Sequence, residues 1–561
     1  MPRPNWVLGL SGSHNGAAAL YRDDTLVCAV QEERLSRVKR EVLHIGRESR
    51  AVSAVLADQG LTPGDLALVV AAPLTHPGAP DNDIALNPLL ASPDLPKLVI
   101  THHHAHAMSA YACSGFEDTT ALVVDGMGSA FVDLSQAERR AIRQPTASTD
   151  REAASIYRVE AGRFTPVEKH LGRTGYAEDS VPTPLGPFST LGLMYQQVAR
   201  FTFGSWDAAG KVMGLAPYGR PIISIDEFLE LRDNGVIDFR DDLMGVGGSL
   251  TGVGRFPAER QTHEDLAASV QVALEEGLLH LVRRARELTD SRRLVCAGGV
   301  FLNSVANEMI LASKLFDEVF IVPFAEDSGA AVGAAFHGVC ELLGPRPGRR
   351  LHADSLGPRP TDLESALTLA KHHRAIVSQA PVDALVPLLE AGAAVGFVSG
   401  RSELGPRALG QRSILYDPRR PDREALNLRK GRERFRPFAP AVLASHAAEW
   451  FELGDVMDSP FMLRVTPVVI EKRGHVPAIT HVDGTSRPQT VTGPSPLHTL
   501  LVAWNDRTGV PMLLDTSFNR AGEPIVESMC DAVKTAVALE LDAVWLDDGR
   551  AAPHLCVFSR G

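Results

Sequence analysis

Four of the nineteen histidines fall within five positions, His102-His103-His104-Ala105-His106, directly after the apolar stretch Leu98 to Ile100. On a helix, His102 and His106 stand at i and i+4, on one face and near enough to share a metal ion. The alternative is a solvated turn. Imidazole is the commonest metal ligand, and carboxylates at two other strand ends are candidates to join it. Asp125 ends the strand Ala121 to Val124 ahead of Gly126, and Asp327 follows Val319 to Pro323 ahead of Ser328-Gly329-Ala330. Taken singly, Asp125 is equally a turn former and Asp327 equally a helix N-cap. Two imidazoles with two carboxylates suit a borderline divalent ion, iron(II), zinc or manganese, and softness argues against copper(I).

The second concentration of chemistry is cationic. Gly400 to Ser413 carries Arg401, Arg407 and Arg412 among glycines, and Lys430, Arg432, Arg434, Arg436, Arg487 and Ser517-Phe518-Asn519-Arg520 follow. From Arg401 to Arg436 there are eleven Lys/Arg against five Asp/Glu, in a chain of net charge -12. Closely spaced guanidiniums repel unless an anion or carboxylates lie between them. Their forks match phosphate oxygens, so a nucleotide or an acyl phosphate is the natural ligand. A solvated basic face is the alternative, and it accounts for Arg419, Arg420 and Arg423 better than for Arg407 or Arg436. A local basic cluster in an acidic chain points to a small anion and away from nucleic acid. His14, in the Gly-rich turn Ser11 to Gly16, is either a general base or incidental. Glu32-Glu33-Arg34 with Arg37 and Lys39 reads as a salt-bridged surface helix.

These residues must be placed by α/β elements. Val7 to Leu10, the turn Ser11 to Gly16, Ala17 to Tyr21 and Leu26 to Val30 read as strand, tight turn, strand, strand. Ala121 to Val124, Asp125-Gly126-Met127-Gly128, a run to Leu134 and a strand at Ile156 to Glu160 repeat that layout, which predicts a duplicated α/β unit with a cleft between its halves. A helix over His263 to Thr289 leads to the strand Arg293 to Ala297, to Gly298-Gly299 and to a helix from Asn303, a turn whose N–H groups are placed to accept phosphate or carboxylate. The proline-bearing segment Gly344 to Thr361 is the expected linker, giving domains 1–350 and 351–561. At 561 residues a single core is excluded. No apolar run reaches the length of a membrane span, and Met1 to Gly12 lacks the pattern of a secretory signal, so a cytoplasmic enzyme with no membrane partner is expected. The six cysteines form no C-x-x-C pair and read as inert thiols.

Taken in order, Glu32 to Lys39 (EERLSRVK), the histidine run to Ala107, Val124-Asp125-Gly126, Lys211 to Gly219 (KVMGLAPYG), Ala297 to Asn303 (AGGVFLN), Glu403 to Ser413, Arg436 to Pro440 (RPFAP) and Thr516 to Asn519 (TSFN) resemble the NodU/CmcH family of O-carbamoyltransferases over nearly the whole chain. The resemblance implies an N-terminal actin-like ATPase (ASKHA) domain joined to a C-terminal YrdC-like domain. It implies carbamoyl adenylate made from carbamoyl phosphate and ATP in the second, and carbamoyl transfer to a hydroxyl of a small secondary metabolite, such as an antibiotic, in the first. It further implies iron(II) at His102, His106 and Asp125, with Asp327 as another ligand. His14 and Lys39 are then the catalytic candidates. Asp125, Gly126, Gly128, Gly298, Gly299, Asn303, Asp327, Arg407, Lys430, Arg436, Arg487, Asn519 and Arg520 are the cofactor-binding candidates. Two positions depart from the family pattern: His14 is followed by Asn15-Gly16-Ala17 where His-Asp-x-Ser is usual, and Asp515 stands where Asn is common. Threonylcarbamoyl transfer to tRNA is opposed by the acidic balance, and a nucleotide-binding regulator on the same scaffold predicts ATP binding without use of carbamoyl phosphate. The acceptor and the oligomeric state stay open.

Overall fold

The computed structural model describes residues 4–74, 79–144, 146–173, 189–240, 250 and 252–559. The chain packs into two compact units, Met1–Val27 with Val42–Leu351, and Cys28–Glu41 with His352–Gly561. One cut between two domains therefore does not describe it: Cys28–Glu41, expected in the first domain, packs with the second unit and takes Lys39 with it.

In the first unit, β1 (Trp6–Gly12), β2 (Ala17–Arg22), β3 (Thr25–Gln31), β4 (Leu66–Pro73) and β5 (Lys97–Val99) form a sheet of order β3-β2-β1-β4-β5, the chain passing to the second unit along β3. β6 (Asp118–Val124), β7 (Arg151–Glu160), β8 (Arg163–Gly172), β9 (Arg293–Ala297) and β10 (Glu318–Ile321) form a second sheet, of order β10-β9-β6-β7-β8. β1 is antiparallel to β2 and parallel to β4, which is parallel to β5. β6 is likewise antiparallel to β7 and parallel to β9, which is parallel to β10. Each opening strand thus has its two successors on one side and two later parallel strands on the other, the duplicated layout anticipated from the repeated strand and Gly-turn. Almost every residue of β1, β4 and β6 is buried, as strands covered on both faces require.

The second copy differs from expectation in detail. The run toward Leu134 makes no strand but a short 3-10 turn, Phe131–Asp133, and β8 follows β7 instead. β8 (RFTPVEKHLG) escapes a pattern reading because Pro166, Glu168 and Lys169 interrupt its alternation. Proline is tolerated there because β8 is the edge of its sheet.

Three helices, α1 (His102–Ser114), α2 (Arg260–Leu288) and α3 (Ser328–Leu343), matter most to the site. α1 is buried nearly all round, so it has no polar face to present to water. The small residues of α3 let it lie directly on its neighbours: a methyl on Gly333 would overlap the Ala105 carbonyl of α1, and a methyl on Gly9 of β1 would overlap the Ala331 carbonyl of α3. This close crossing carries Asp327, just ahead of α3, to the first turn of α1.

The second unit holds β11 (Ala375–Gln379), β12 (Val395–Ser399), β13 (Arg412–Tyr416), β14 (Ala439–Leu443), β15 (Gln489–Val491), β16 (Met512–Ser517), β17 (Ala543–Asp547) and β18 (His554–Phe558) in one mixed sheet, ordered β11-β18-β17-β12-β13-β16-β14-β15. Alternate residues supply two cores, Ile414, Val442, Leu514 and Val544 on one face and Leu415, Ala441, Leu513 and Trp545 on the other. Phe397 stacks on Trp545 with ring centroids 4.9 Å apart. Among the described residues, no helix is long and apolar enough to cross a membrane.

Candidate functional site

In the first unit α1 places His102 and His106 one turn apart, with their Nε2 atoms 3.1 Å from each other. Asp125, at the end of β6, brings Oδ2 to 3.5 Å from His102 Nε2 and 3.9 Å from His106 Nε2. Asp327 Oδ1 lies 3.4 and 3.5 Å from the same two nitrogens. The four ligand atoms fall within 4.8 Å of one another, and all four residues are buried. About 3.4 Å is the ligand-to-ligand separation around a tetrahedral ion with bonds of about 2.1 Å, so the donor set fits a divalent cation. Electrostatics agree. Burial opposes charge on His102, yet Asp327 and Asp125 outweigh it and push its pKa up to about 10. Burial likewise opposes charge on Asp327, but His102 and His14 hold its carboxyl well below the usual range.

Asp327 precedes α3 yet makes no side-chain capping bond; its carboxylate faces the imidazoles, and its Oδ2 lies 3.3 Å from Nδ1 of the exposed His14. Asp125 is held from behind by the Gly299 N–H, which donates to Oδ1 over 3.0 Å. Gly298 has φ +101, and a methyl there would overlap the Val124 carbonyl, so the Gly298-Gly299 turn serves first to bring backbone against β6 and its aspartate. Asn303 caps the helix that follows, accepting from Val305 and Ala306, and donates to Gln271 over 2.9 Å. Gly126 accepts from Thr190 through its carbonyl over 2.9 Å.

A buried network that sequence reasoning missed supports α1. The His102 N–H donates to Ser129 Oγ over 2.9 Å, and the N–H groups of His103 and Ser129 both donate to Glu152 Oε2, over 3.2 and 3.0 Å. Lys169, fully buried on β8, donates to Glu152, to the Tyr157 hydroxyl over 2.8 Å and to Ser155 over 3.1 Å. Gly128 belongs to this packing, since a methyl on it would stand 2.6 Å from the His103 ring and 2.7 Å from Glu152 Oε2. Gly128→Ala is therefore expected to cost about 1–3 kcal/mol by overpacking. A lowered thermal midpoint with less metal retained per chain would show it.

The second unit gathers Arg407, Arg432, Arg436, Arg487 and Lys430. Burial, then the charges of the other arginines, press Arg487 well below its ordinary range, and Lys430 is pressed down by burial, Arg432 and Arg436. Arg407, depressed to about 10, feels burial and Arg436. Nε of Arg432 and of Arg487 is buried without a hydrogen-bond partner. Lys430 donates to the Ser517 carbonyl and, at 3.4 Å, to Asn519 Oδ1. Arg432, named in the cationic run but not among the cofactor-binding candidates, enters the cluster, whereas Arg520 is exposed and 3.7 Å from Glu523. Lys39 pairs with Glu33 in a salt bridge at 2.8 Å.

Asp515 is the buried carboxyl facing the cluster, and burial pushes it up to about 8 against the pull of Ser413, Lys430 and Arg487. A carboxyl raised in this way contributes stability that is complete at low pH and is lost as pH rises through the folded value. The same ionisation removes one unit of positive charge from the cluster. Sulfate, which does not itself titrate in this range, is expected to bind more weakly as pH rises from about 7 to 9, and Asp515→Asn should flatten that profile in a calorimetric titration.

Residues 90–336 match the carbamoyltransferase N-terminus family and residues 386–551 the carbamoyltransferase C-terminus family. The chain is 35% identical to the nodulation protein NolNO of Sinorhizobium fredii, over 95% of this chain and 78% of that one. It belongs to the carbamoyltransferase family. The nodulation protein NolO of Bradyrhizobium diazoefficiens is 36% identical over 79% of this chain and 77% of its own, and the nodulation protein U of Sinorhizobium fredii 29% identical over 96% and 98%. Among solved structures, full-length HypF in its phosphate- and nucleotide-bound form aligns at 14% identity with a TM-score of 0.39, covering 61% of this chain and 56% of that one; so remote a likeness assigns neither ligand nor activity. The carbamoyltransferase is thus an enzyme with a four-residue donor set able to hold a metal in its first unit and a cationic cluster in its second.

Proposed function

We propose that this carbamoyltransferase forms carbamoyl adenylate from carbamoyl phosphate and ATP in its second unit and transfers the carbamoyl group to a hydroxyl of a small secondary metabolite, such as an antibiotic, in its first. The observation that carries the reading is the cluster of Arg407, Arg432, Arg436, Arg487 and Lys430, whose mutual repulsion calls for a polyanion. A carbamoyl carbon is a poor electrophile, because nitrogen donates into the carbonyl, so a good leaving group is required. Water cleaves carbamoyl phosphate to carbamate and phosphate. The carbamate oxygen attacks the α-phosphorus of ATP and expels pyrophosphate. The acceptor oxygen attacks the carbamoyl carbon, the mixed anhydride breaks, and AMP leaves with the electron pair.

The guanidiniums neutralise phosphate oxygens as charge shifts toward the leaving pyrophosphate. In the first unit, the repeated β1-to-β5 and β6-to-β10 layout favours an actin-like nucleotide domain, and a YrdC-like fold is the reading for the second. His102, His106, Asp125 and Asp327 would hold the metal, which we take to be iron(II); when bound, it supplies a Lewis acid for the carbamoyl oxygen. His14 is the general base. Asp327 holds its Nδ1, which leaves Nε2 to take the acceptor proton.

The test needs no knowledge of the acceptor. Labelled pyrophosphate should exchange into ATP only when carbamoyl phosphate is present. Carbamoyl-phosphate-dependent formation of ADP, with no exchange of pyrophosphate, would sink the adenylate.

A further inference from the structure

The segment Cys28–Glu41 is joined covalently to the first unit at both ends and yet packs as part of the second. Its central side chain, Arg34, is 1% exposed and donates from Nη2 to the Gly405 carbonyl over 2.9 Å. Arg37 fastens the same segment to the carbonyls of Ile525 and Pro524, over 2.6 and 3.0 Å. Gly405 has φ +97, a backbone state that other residues rarely adopt, and it stands two residues before Arg407.

The far end of that loop is fixed by Glu403. Its Oε1 accepts from the N–H groups of Leu409, Gln411 and Arg412 over 2.8, 2.9 and 3.0 Å. Pro406, Arg407 and Ala408 therefore span two anchored points, one of them held from the N-terminal segment. A residue serving only to glue the segment down would be expected to satisfy its hydrogen bonds. Arg34 instead leaves Nε and Nη1 buried without partners, the kind of local cost that proteins keep where function needs it.

We propose that Arg34 is a positioning residue for Arg407, so that the anion site of the C-terminal unit is completed by a residue from the N-terminal part of the chain. The proposal rests on the reading of the arginine cluster as an anion site. Neither sequence similarity nor the position of Arg34 next to two glutamates points to it; the carbonyl it holds does.

The test is a double-mutant cycle in the full-length protein, with sulfate as the probe and its dissociation constant as the readout. Arg407→Ala and Arg34→Met should each weaken sulfate by about tenfold, and the double variant should be no weaker than Arg407→Ala alone, because Arg34 acts through Arg407. Arg34→Lys retains a buried cation without the guanidinium fork and reads the same coupling where the methionine variant does not fold. Full additivity of the two losses, or unchanged binding in both Arg34 variants, overturns the proposal. A sulfate dissociation constant left unchanged by Arg407→Ala overturns the anion reading and this proposal with it, whereas weakening by Arg407→Ala without coupling to Arg34 overturns this proposal alone.

Discussion

Asp327→Asn is expected to strip the metal from the first unit and to lower carbamoyl transfer by more than about a hundredfold, beyond what a change behind a ligand costs. The substitution keeps the shape of the side chain and changes its chemistry. Oδ1 of Asp327 approaches both imidazoles, at 3.4 and 3.5 Å, while Oδ2 holds His14 at 3.3 Å. An amide offers one oxygen and an NH2 group that has no lone pair for a cation. One of the two negative charges in a buried site is lost at the same time. Elemental analysis should fall from about one divalent ion per chain to a small fraction of that. Carbamoyl-phosphate-dependent pyrophosphate exchange should remain, since every residue assigned to it lies in the second unit. Full metal content in the variant would remove Asp327 from the ligand set, and loss of exchange together with transfer would remove the division of labour.

How much of this was readable beforehand depended on whether a residue's neighbours in sequence are also its neighbours in space. The i, i+4 spacing of His102 and His106 survives in the structure because a single helix carries both. Asp125 and Asp327 each had a bland alternative, turn former or helix cap, and sequence spacing does not choose between them. The choice follows from α3 crossing α1 at the distance that Gly333 permits. Lys169 gave no signal, because a lone lysine in a strand reads as solvent-facing until the partners Glu152, Tyr157 and Ser155 are seen around it. The arginines show the opposite weakness. Arg432, Arg434, Arg436 and Arg520 lie in loops without periodicity, so nothing in their spacing tells which guanidinium turns inward. Arg432 does and Arg520 does not. Glu33, Arg34 and Lys39 spell a surface helix by charge alone; long-range packing with the second unit buries Glu33 and Arg34.

Arg487→Met is expected to make the protein more stable and less active. Arg487 lies among Arg407, Arg432 and Arg436, and burial with the repulsion of those neighbours depresses it well below the arginine range. Its Nε is buried with no partner. The nearby counter-charge is weak, since Asp515 is pushed up to about 8 and holds its proton at neutral pH. The charge of an arginine so placed costs the fold stability, and methionine fills a similar length of unbranched, adaptable side chain without it. Relief of uncompensated charge should raise stability by about 1 kcal/mol, or about 2–4 °C in the midpoint of a unit of this size. Pyrophosphate exchange should meanwhile fall by about 10²–10³, the usual loss when a preorganised donor to developing charge is removed. ATP or carbamoyl phosphate should also raise the midpoint of the wild type more than that of the variant, because ligand binding stabilises the folded state in proportion to its affinity. The opposite signs decide the matter: a guanidinium kept for packing loses stability and spares the reaction when removed, whereas one held against its neighbours to meet an anion does the reverse.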